Sequence, residues 1–338
     1  MGFVDLAPTM LSLAGVKPPG FYRGQAFSGP YEAPARTYSF GFRGRMDERY
    51  DLIRTMRDQH HVYIRNYNPH KIYGQYIAYL WATPTPAVWD RLYREGKLKP
   101  PQTYFWETKP AEELYDLQDD RDEVKNLASS AELRPTLERF RKAHLEHELA
   151  VRDVGLLPEA EFQSRSKNAT PYELGHDRER YPMERVLAAA QLASSLRPGA
   201  TAALAKAMQD ADAGVRYWGA MGALMRGDTE VKALHPQLTK ALDDPSPSVR
   251  IAAAEALGRH GTEADLAKVL PMLIKLADSV ENDSYVAMQA LNAIDALGEK
   301  AAPLKSQLAT LPALDPKSPA RVNRQYTTAL IKRLIEVL

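Results

Sequence analysis

"VRIAAAEALGRHG", residues 249–261, places Val249, Ala252, Ala253, Ala256 and Leu257 at i, i+3, i+4, i+7 and i+8. That spacing lays five apolar side chains along one face of a helix. Most of them are small, so a neighbouring helix can approach closely. Two further stretches align with this one without gaps: "VRYWGAMGALMRG" (Val215–Gly227) and "VAMQALNAIDALG" (Val286–Gly298). The three starts are 34 and 37 residues apart. Each block ends on a glycine, Gly227, Gly261 or Gly298, the residue favoured just past a helix C-terminus.

A second amphipathic helix is expected after each block. One carries Val231, Leu234, Leu238 and Leu242; the next carries Leu266, Leu270, Leu273 and Leu276. "DDPSPSVR" (Asp243–Arg250) restarts the cycle, with Ser246 as N-cap and Pro247 at the first helical position. Met183–Leu196 with Ala200–Met208 reads as an opening pair, and Arg324–Leu338 as a closing helix. Helix pairs at this period predict an all-α solenoid over residues 183–338. The pattern resembles HEAT repeats, whose concave face implies a docking surface for a protein partner.

Upstream the texture changes. Between Tyr22 and Tyr115 lie 12 of the 17 tyrosines and 3 of the 4 tryptophans. "YDLIRTMRD" (Tyr50–Asp58) and "HVYIRNY" (His61–Tyr67) are β-prone runs around a short turn. "EELYDLQDD" (Glu112–Asp120) is a third strand candidate, and an apolar spacing over Leu133–Leu149 predicts a helix. The reading is α+β: a small antiparallel sheet with one helix packed on it, over residues 1–155. Leu156–Met183, rich in proline and charge, reads as an extended connector, giving a linker over 156–182.

Composition narrows the function. The chain has 338 residues, a net charge of +1 and no cysteine. Disulfides, a thiol nucleophile and Cys-ligated zinc are therefore excluded. The near-neutral balance argues against a nucleic-acid partner. No uncharged apolar run approaches the ~20 residues of a membrane span. "MGFVDLAPTMLSLAGVKPPG" (Met1–Gly20) predicts an oily helix that needs a surface to bury it. With Asp5, Pro8 and no basic leader, it is not read as a secretory signal.

No G-x-S-x-G elbow, Gly-rich phosphate loop or H-E-x-x-H occurs. "HLEHE" (His144–Glu148) offers two imidazoles at i, i+3, for which a solvated helix face is the plainer reading than a metal site. "FRGRMDERYDLIRTMRDQHHVYIRNYNPHKIYG" (Phe42–Gly74) combines arginines with nearby tyrosines and Trp81. Arginine forks suit sulfate, phosphate or carboxylate, and aromatic rings suit sugars. The alternative is a two-sided sheet with ion pairs on one face and an aromatic core on the other.

Three segments resemble the C-terminal subdomain of the sulfatase family: "FVDLAPTMLSLAGVKPP", "DERYDLIRTMRDQHHVYIRNYNPH" and "ELYDLQDDRDEVKNLA" (Glu113–Ala128). In the last, Leu114 and Leu117 are expected to face one way, Tyr115 the other, and Asn126 to cap the next helical start. The insertion Tyr73–Lys109 and "AVRDVGLLPEAE" are most similar to the heparan N-sulfatase branch. The resemblance covers roughly residues 1–163, about half the chain. It implies hydrolysis of sulfate esters or sulfamates by a formylglycine, made from Cys or Ser in a C/S-x-P-x-R motif, beside a bound calcium ion. "YEAPAR" (Tyr31–Arg36) and "KSPAR" (Lys317–Arg321) do not match that motif. The calcium ligands of the family precede the segment that starts here. So no catalytic or metal residue is carried over, and this chain is expected to be inactive alone. The apolar first helix is then the cut surface of an absent main domain. For contact with a sulfated sugar the expected residues are Arg43, Arg45, His70 and Lys71. The alternative is a non-enzymatic scaffold that binds a protein through its repeats. No compartment is assigned, although family members are often periplasmic, secreted or lysosomal.

Overall fold

The computed structural model describes residues 2–312 and 321–338, side chains of 321–324 excepted. Lys317–Ala320 of the "KSPAR" stretch therefore lie outside the described residues. Backbone contacts divide the chain into two compact units that interleave in sequence. One runs through Met1–Phe42, Arg54–Arg65 and Glu112–His144; the other through Arg43–Ile53, Asn66–Ala111 and Leu145–Leu338. These limits do not follow positions 155 and 182.

Four antiparallel strands form one sheet: β1 (Ser39–Arg43), β2 (Ile53–Arg57), β3 (His61–Asn66) and β4 (Glu112–Asp116), in that spatial order. The β2–β3 turn closes as its sequence suggests. The Asp58 carboxylate accepts from the amides of His60 and His61, both at 2.8 Å, an Asx-type turn. β3 pairs antiparallel with β4, with Tyr63 opposite Leu114. Those two side chains, with Met56, Leu137 and Phe140, form the core of the first unit. Leu137 and Phe140 sit on the helix Arg134–Val151. β1 was not expected from the sequence. A Cβ on its Gly41 would lie 2.6 Å from Thr55 Oγ1, so a larger residue there would have to displace that hydroxyl.

Asn126 does not cap a helix. Its side-chain oxygen accepts from the amides of Leu114 (3.1 Å) and Ala128 (2.9 Å), and its amide donates to the Glu112 carbonyl (3.1 Å). It pins the loop after β4 to the strand. Glu113, Leu114 and Tyr115 of β4 are all buried, so both faces of this strand are covered.

The helix Leu6–Leu13, entered by a 3₁₀ turn at Phe3–Asp5, is inverted relative to ordinary amphipathic packing. Asp5, Thr9 and Ser12 are buried, whereas Phe3, Met10 and Leu13 are 92%, 66% and 58% exposed. The polar face is anchored within its own unit. Asp5 pairs with Arg36 (3.0 Å) and accepts from the Gln25 amide (2.9 Å). Thr9 and Ser12 accept from the amides of Phe27 (3.1 Å) and Tyr31 (2.9 Å).

In the second unit the expected blocks are the helices Ala213–Arg226, Pro247–His260 and Ser284–Leu297. With Met183–Ser194 before them and Arg321–Val337 after, they pack side by side in chain order. The second helices follow at Thr201–Ala207 and Glu263–Leu276. One of them is split into Asp228–Ala233 and His235–Ala241, the latter with Pro236 in its first turn. Proline lacks the amide that an unbroken helix would need at that point. The caps differ in part from expectation. Gly227 and Gly298 adopt left-handed φ of +77° and +56°. Gly261 does not (φ −88°); a Cβ there would lie 2.4 Å from the Leu257 carbonyl oxygen. Ser246 occupies the N-cap position but makes no cap bond, because its hydroxyl donates to the Glu161 carboxylate.

Residues 156–182 are not an extended connector. They hold the short helices Glu159–Arg165 and Pro171–His176, and Leu156, Leu157, Leu174 and Tyr181 are buried. The buried Trp218 indole donates to the Leu156 carbonyl at 2.8 Å, and Arg165 pairs with Asp212 at 2.8 Å. These bonds fix the segment to the first repeat block. Among the described residues no helix is long and apolar enough to cross a membrane.

Candidate functional site

The second unit contains two adjoining cavities that share Lys71, Glu255 and Asn292. Their walls come from two main sources, to which Pro158, Glu159 and Ala160 add on the smaller cavity. Residues 45–50 and 70–106 supply one side. Glu255 and Arg259, one turn apart on Pro247–His260, supply the other with Asn292 and Asp295 on Ser284–Leu297 and Arg333 on Arg321–Val337. Corresponding helices of successive repeats thus line one site, and the covering segment is the chain's own.

Arg49 joins the two sides. Its guanidinium donates to the Tyr76 carbonyl (2.7 Å) and to Asn292 Oδ1 (2.8 Å), and pairs with Asp295 (2.8 Å). The Asn292 amide donates in turn to the Glu48 carbonyl at 2.9 Å. Beside this clamp, Lys109 Nζ meets Asp51 Oδ2 at 2.8 Å, with both side chains at most 1% exposed. Such a pair is stable only because each charge has its partner.

The smaller cavity, about 50 Å³, is lined by Arg45, Tyr50, Lys71, Glu159, Glu255 and Tyr285. Arg45 is committed there: it pairs with Glu159 (3.0 Å), donates to the Asp47 carbonyl (2.7 Å) and lies over the Tyr285 and Tyr326 rings at 5.8 and 5.1 Å. Lys71 donates to the Tyr50 carbonyl at 3.0 Å. Burial pulls the Lys71 ammonium below its ordinary pKa, against the opposing charges of Glu255 and Asp51. Burial likewise pushes Glu255 up, against Lys71 and Arg259. Each group resists carrying its charge, and each is the other's compensation.

The larger cavity measures about 320 Å³. Its aromatic side is a continuous cluster: Tyr76 to Trp81 at 5.0 Å between centroids, and Trp81 edge-on to Trp106 at 6.0 Å. Arg333 stacks over Tyr76 at 4.4 Å. Both ring nitrogens of His70, the Gln75 amide nitrogen, Trp106 Nε1 and Arg333 Nε are buried and make no hydrogen bond to the described residues. Burial, reinforced by Lys71 and Arg259, holds the His70 imidazole well below its usual pKa and hence neutral.

Of the four residues singled out from sequence, the structure therefore brings together Arg45 and Lys71 in one cavity and His70 and Lys71 in the other. Arg43, at the end of β1, lines neither. Glu255, Arg259, Asn292 and Arg333 were not anticipated. Their only sequence trace is a polar position recurring on otherwise apolar repeat helices. "HLEHE" is not a ligand set. The His144 ring lies edge-on to Tyr63 at 5.5 Å, and Glu148 accepts from the Tyr67 hydroxyl at 2.8 Å. Among the described residues no group of three or more His, Asp or Glu side chains is arranged to hold a metal ion.

Residues 235–321 match the HEAT-repeat family. The chain is also similar to an ulvan-active sulfatase of Formosa agariphila. The two are 40% identical over 171 residues, which is 50% of this chain and 29% of that protein. The chain thus spans less than a third of the length of the curated relative it matches. Calcium and formylglycine, which the sulfatase resemblance implies, do not fit the residues present. The sequence has no cysteine and no S-x-P-x-R run, and among the described residues no group of three or more His, Asp or Glu side chains could hold a metal ion. No catalytic step is derived through either.

Proposed function

We propose that this chain is the C-terminal part of a sulfatase-type hydrolase carrying a HEAT-repeat α-solenoid. The observation that supports it most directly is the 40% identity to a sulfatase over half the chain. The outward apolar face of Phe3, Met10 and Leu13 is consistent with a larger catalytic domain packing there, because exposed contiguous apolar surface marks an interface. In this reading residues 1–155 complete the hydrolase fold and residues 183–338 form the solenoid. The nucleophile and calcium ligands lie in the preceding part. The whole protein removes sulfate from a sulfated polysaccharide, ulvan being the substrate named for the relative. The insertion Tyr73–Lys109 favours a sulfamate-cleaving, heparan N-sulfatase-like branch as the finer assignment.

The test compares the 338-residue chain with a form extended by its upstream coding sequence. Inorganic sulfate is measured after incubation with ulvan oligosaccharides and with N-sulfated heparan oligosaccharides. The chain alone should release none; the extended form should release it, and the productive substrate decides the branch. A folded extended form inert on every sulfated saccharide would overturn the proposal. The HEAT match supports one second reading, a non-catalytic scaffold. That reading gains if no hydrolase sequence lies upstream.

A further inference from the structure

Two lysines of the second unit sit out of bulk water in different ways. Lys109, its side chain 0% exposed, meets Asp51 at 2.8 Å. Lys71 has no such counterpart. Its Nζ donates to the Tyr50 carbonyl at 3.0 Å and lies 5.7 Å from the centre of the Tyr50 ring, and among the described residues it forms no ion pair. The two carboxylates whose charge reaches it are engaged elsewhere: Asp51 by Lys109, and Glu255 by Arg259 at 3.5 Å. Arg49 and Arg259 repel it as well. A desolvated, unpaired ammonium beside guanidinium groups gives up its proton readily. The neutral amine still donates one N–H to the Tyr50 carbonyl, and its lone pair is left to act as a nucleophile.

Position gives that amine a use. Lys71 is partly exposed, and it belongs to the walls of both cavities. Glu255 is the acid on both walls. Its side chain is 13% exposed, and burial favours its protonated form. An amine nucleophile and a carboxylic acid on one wall are the two groups that imine formation requires. The larger cavity, about 320 Å³, has room for a small organic molecule. Its other acids are neutralised, Asp295 by Arg49 (2.8 Å) and Asp90 by Arg94 (3.0 Å). Arg259 loses its counter-charge when Glu255 is protonated, and its side chain is 31% exposed on that wall. A carboxylate on the incoming molecule would restore the balance.

We propose that Lys71 captures a small oxo acid as an imine, with Glu255 as proton donor and Arg259 as counter-charge to the acid group. The Lys71 nitrogen attacks the carbonyl carbon and the C=O π pair moves onto oxygen. That oxygen takes a proton from the attacking nitrogen, giving a neutral carbinolamine. Glu255 protonates the hydroxyl, which leaves as water while the nitrogen lone pair forms C=N. Amine, carbonyl and carboxylic acid become iminium, water and carboxylate, and nothing is oxidised or reduced. The inference rests on these walls and not on the reading of the chain as part of a hydrolase.

The experiment incubates the 338-residue chain at pH 7 with glyoxylate and sodium cyanoborohydride, which reduces an imine to a stable secondary amine. Peptide mass mapping then gives the labelling rate at each lysine. Lys71 should be labelled at least tenfold faster than Lys97, whose side chain is 63% exposed. The ratio of the two rates should fall at least fivefold when neutral propionaldehyde replaces glyoxylate. Glu255→Gln should slow labelling at Lys71 at least fivefold and leave Lys97 unchanged, with circular dichroism and Tm confirming the fold. Should that variant fail to fold, the two rate ratios of the unaltered chain decide. Labelling of Lys71 no faster than Lys97, a ratio unmoved by propionaldehyde, or an unchanged rate in folded Glu255→Gln would each refute the proposal.

Discussion

Lys109 and Asp51 show how far single side chains depend on each other here. Burial lowers the Lys109 pKa, and the carboxylate at 2.8 Å is what keeps the ammonium charged. Lys109→Met or Asp51→Asn alone should cost about 3–5 kcal/mol, since each strands a buried charge. The double variant should recover most of it, as read by urea denaturation. Glu112 makes a pH prediction. Burial pushes its carboxyl up, but bonds from Arg141 (2.5 and 2.8 Å) and the Tyr63 hydroxyl (2.7 Å) together bring it below its ordinary 4.5. A depressed carboxylate stabilises the fold above the unfolded value and loses that contribution as pH falls through the folded one. Thermal stability should therefore fall on acidification below about 4.5, and Glu112→Gln should flatten that limb while lowering Tm at pH 7.

At the scale of elements, the repeat helices are fastened by close approach and by shared aspartates. A Cβ on Gly258 would lie 2.6 Å from Leu297 Cδ2 on the next block helix. Gly258→Val should destabilise by about 1–3 kcal/mol through overpacking, with secondary structure retained by circular dichroism. Asp212 accepts from the amides of Gly214 (2.8 Å) and Val215 (3.4 Å) as an N-cap and pairs with Arg165. Asp212→Ala should cost about 0.5–2 kcal/mol for the cap, and somewhat more because Arg165 loses its partner. Arg216 forks onto Asp244 at 2.6 and 2.8 Å, which gives the arginine of the "VR" block start a physical role. The strand β1 is not legible in the sequence because "SFGFR" has a glycine at its centre, and isolated short strands carry little periodicity.

For the whole molecule, the inverted first helix has a direct consequence. Its apolar face, with Met10 and Phe3 outward, should make the isolated chain self-associate or bind a hydrophobic dye. Met10→Glu with Phe3→Ser should raise solubility without lowering Tm, since neither side chain is buried; light scattering and dye fluorescence provide the check. A fall in Tm of several degrees would mean that this face is already packed.

The sequence by itself determined the helical repeats, their near-constant period, the β2–β3 hairpin and the position of β4. Each of these is written in local spacing: apolar side chains every three to four residues, alternation around an Asx turn, proline and glycine at helix ends. It also marked His70, Lys71 and Arg45, through the plain coincidence of basic and aromatic residues. Only the tertiary structure decided that Arg49 reaches Asn292 and Asp295 across more than two hundred residues of chain, that 156–182 is packed, and that the first helix turns its polar side inward. The reason is that these outcomes depend on which surfaces meet. A buried donor is compensated only by groups that the folded chain brings to it from remote positions.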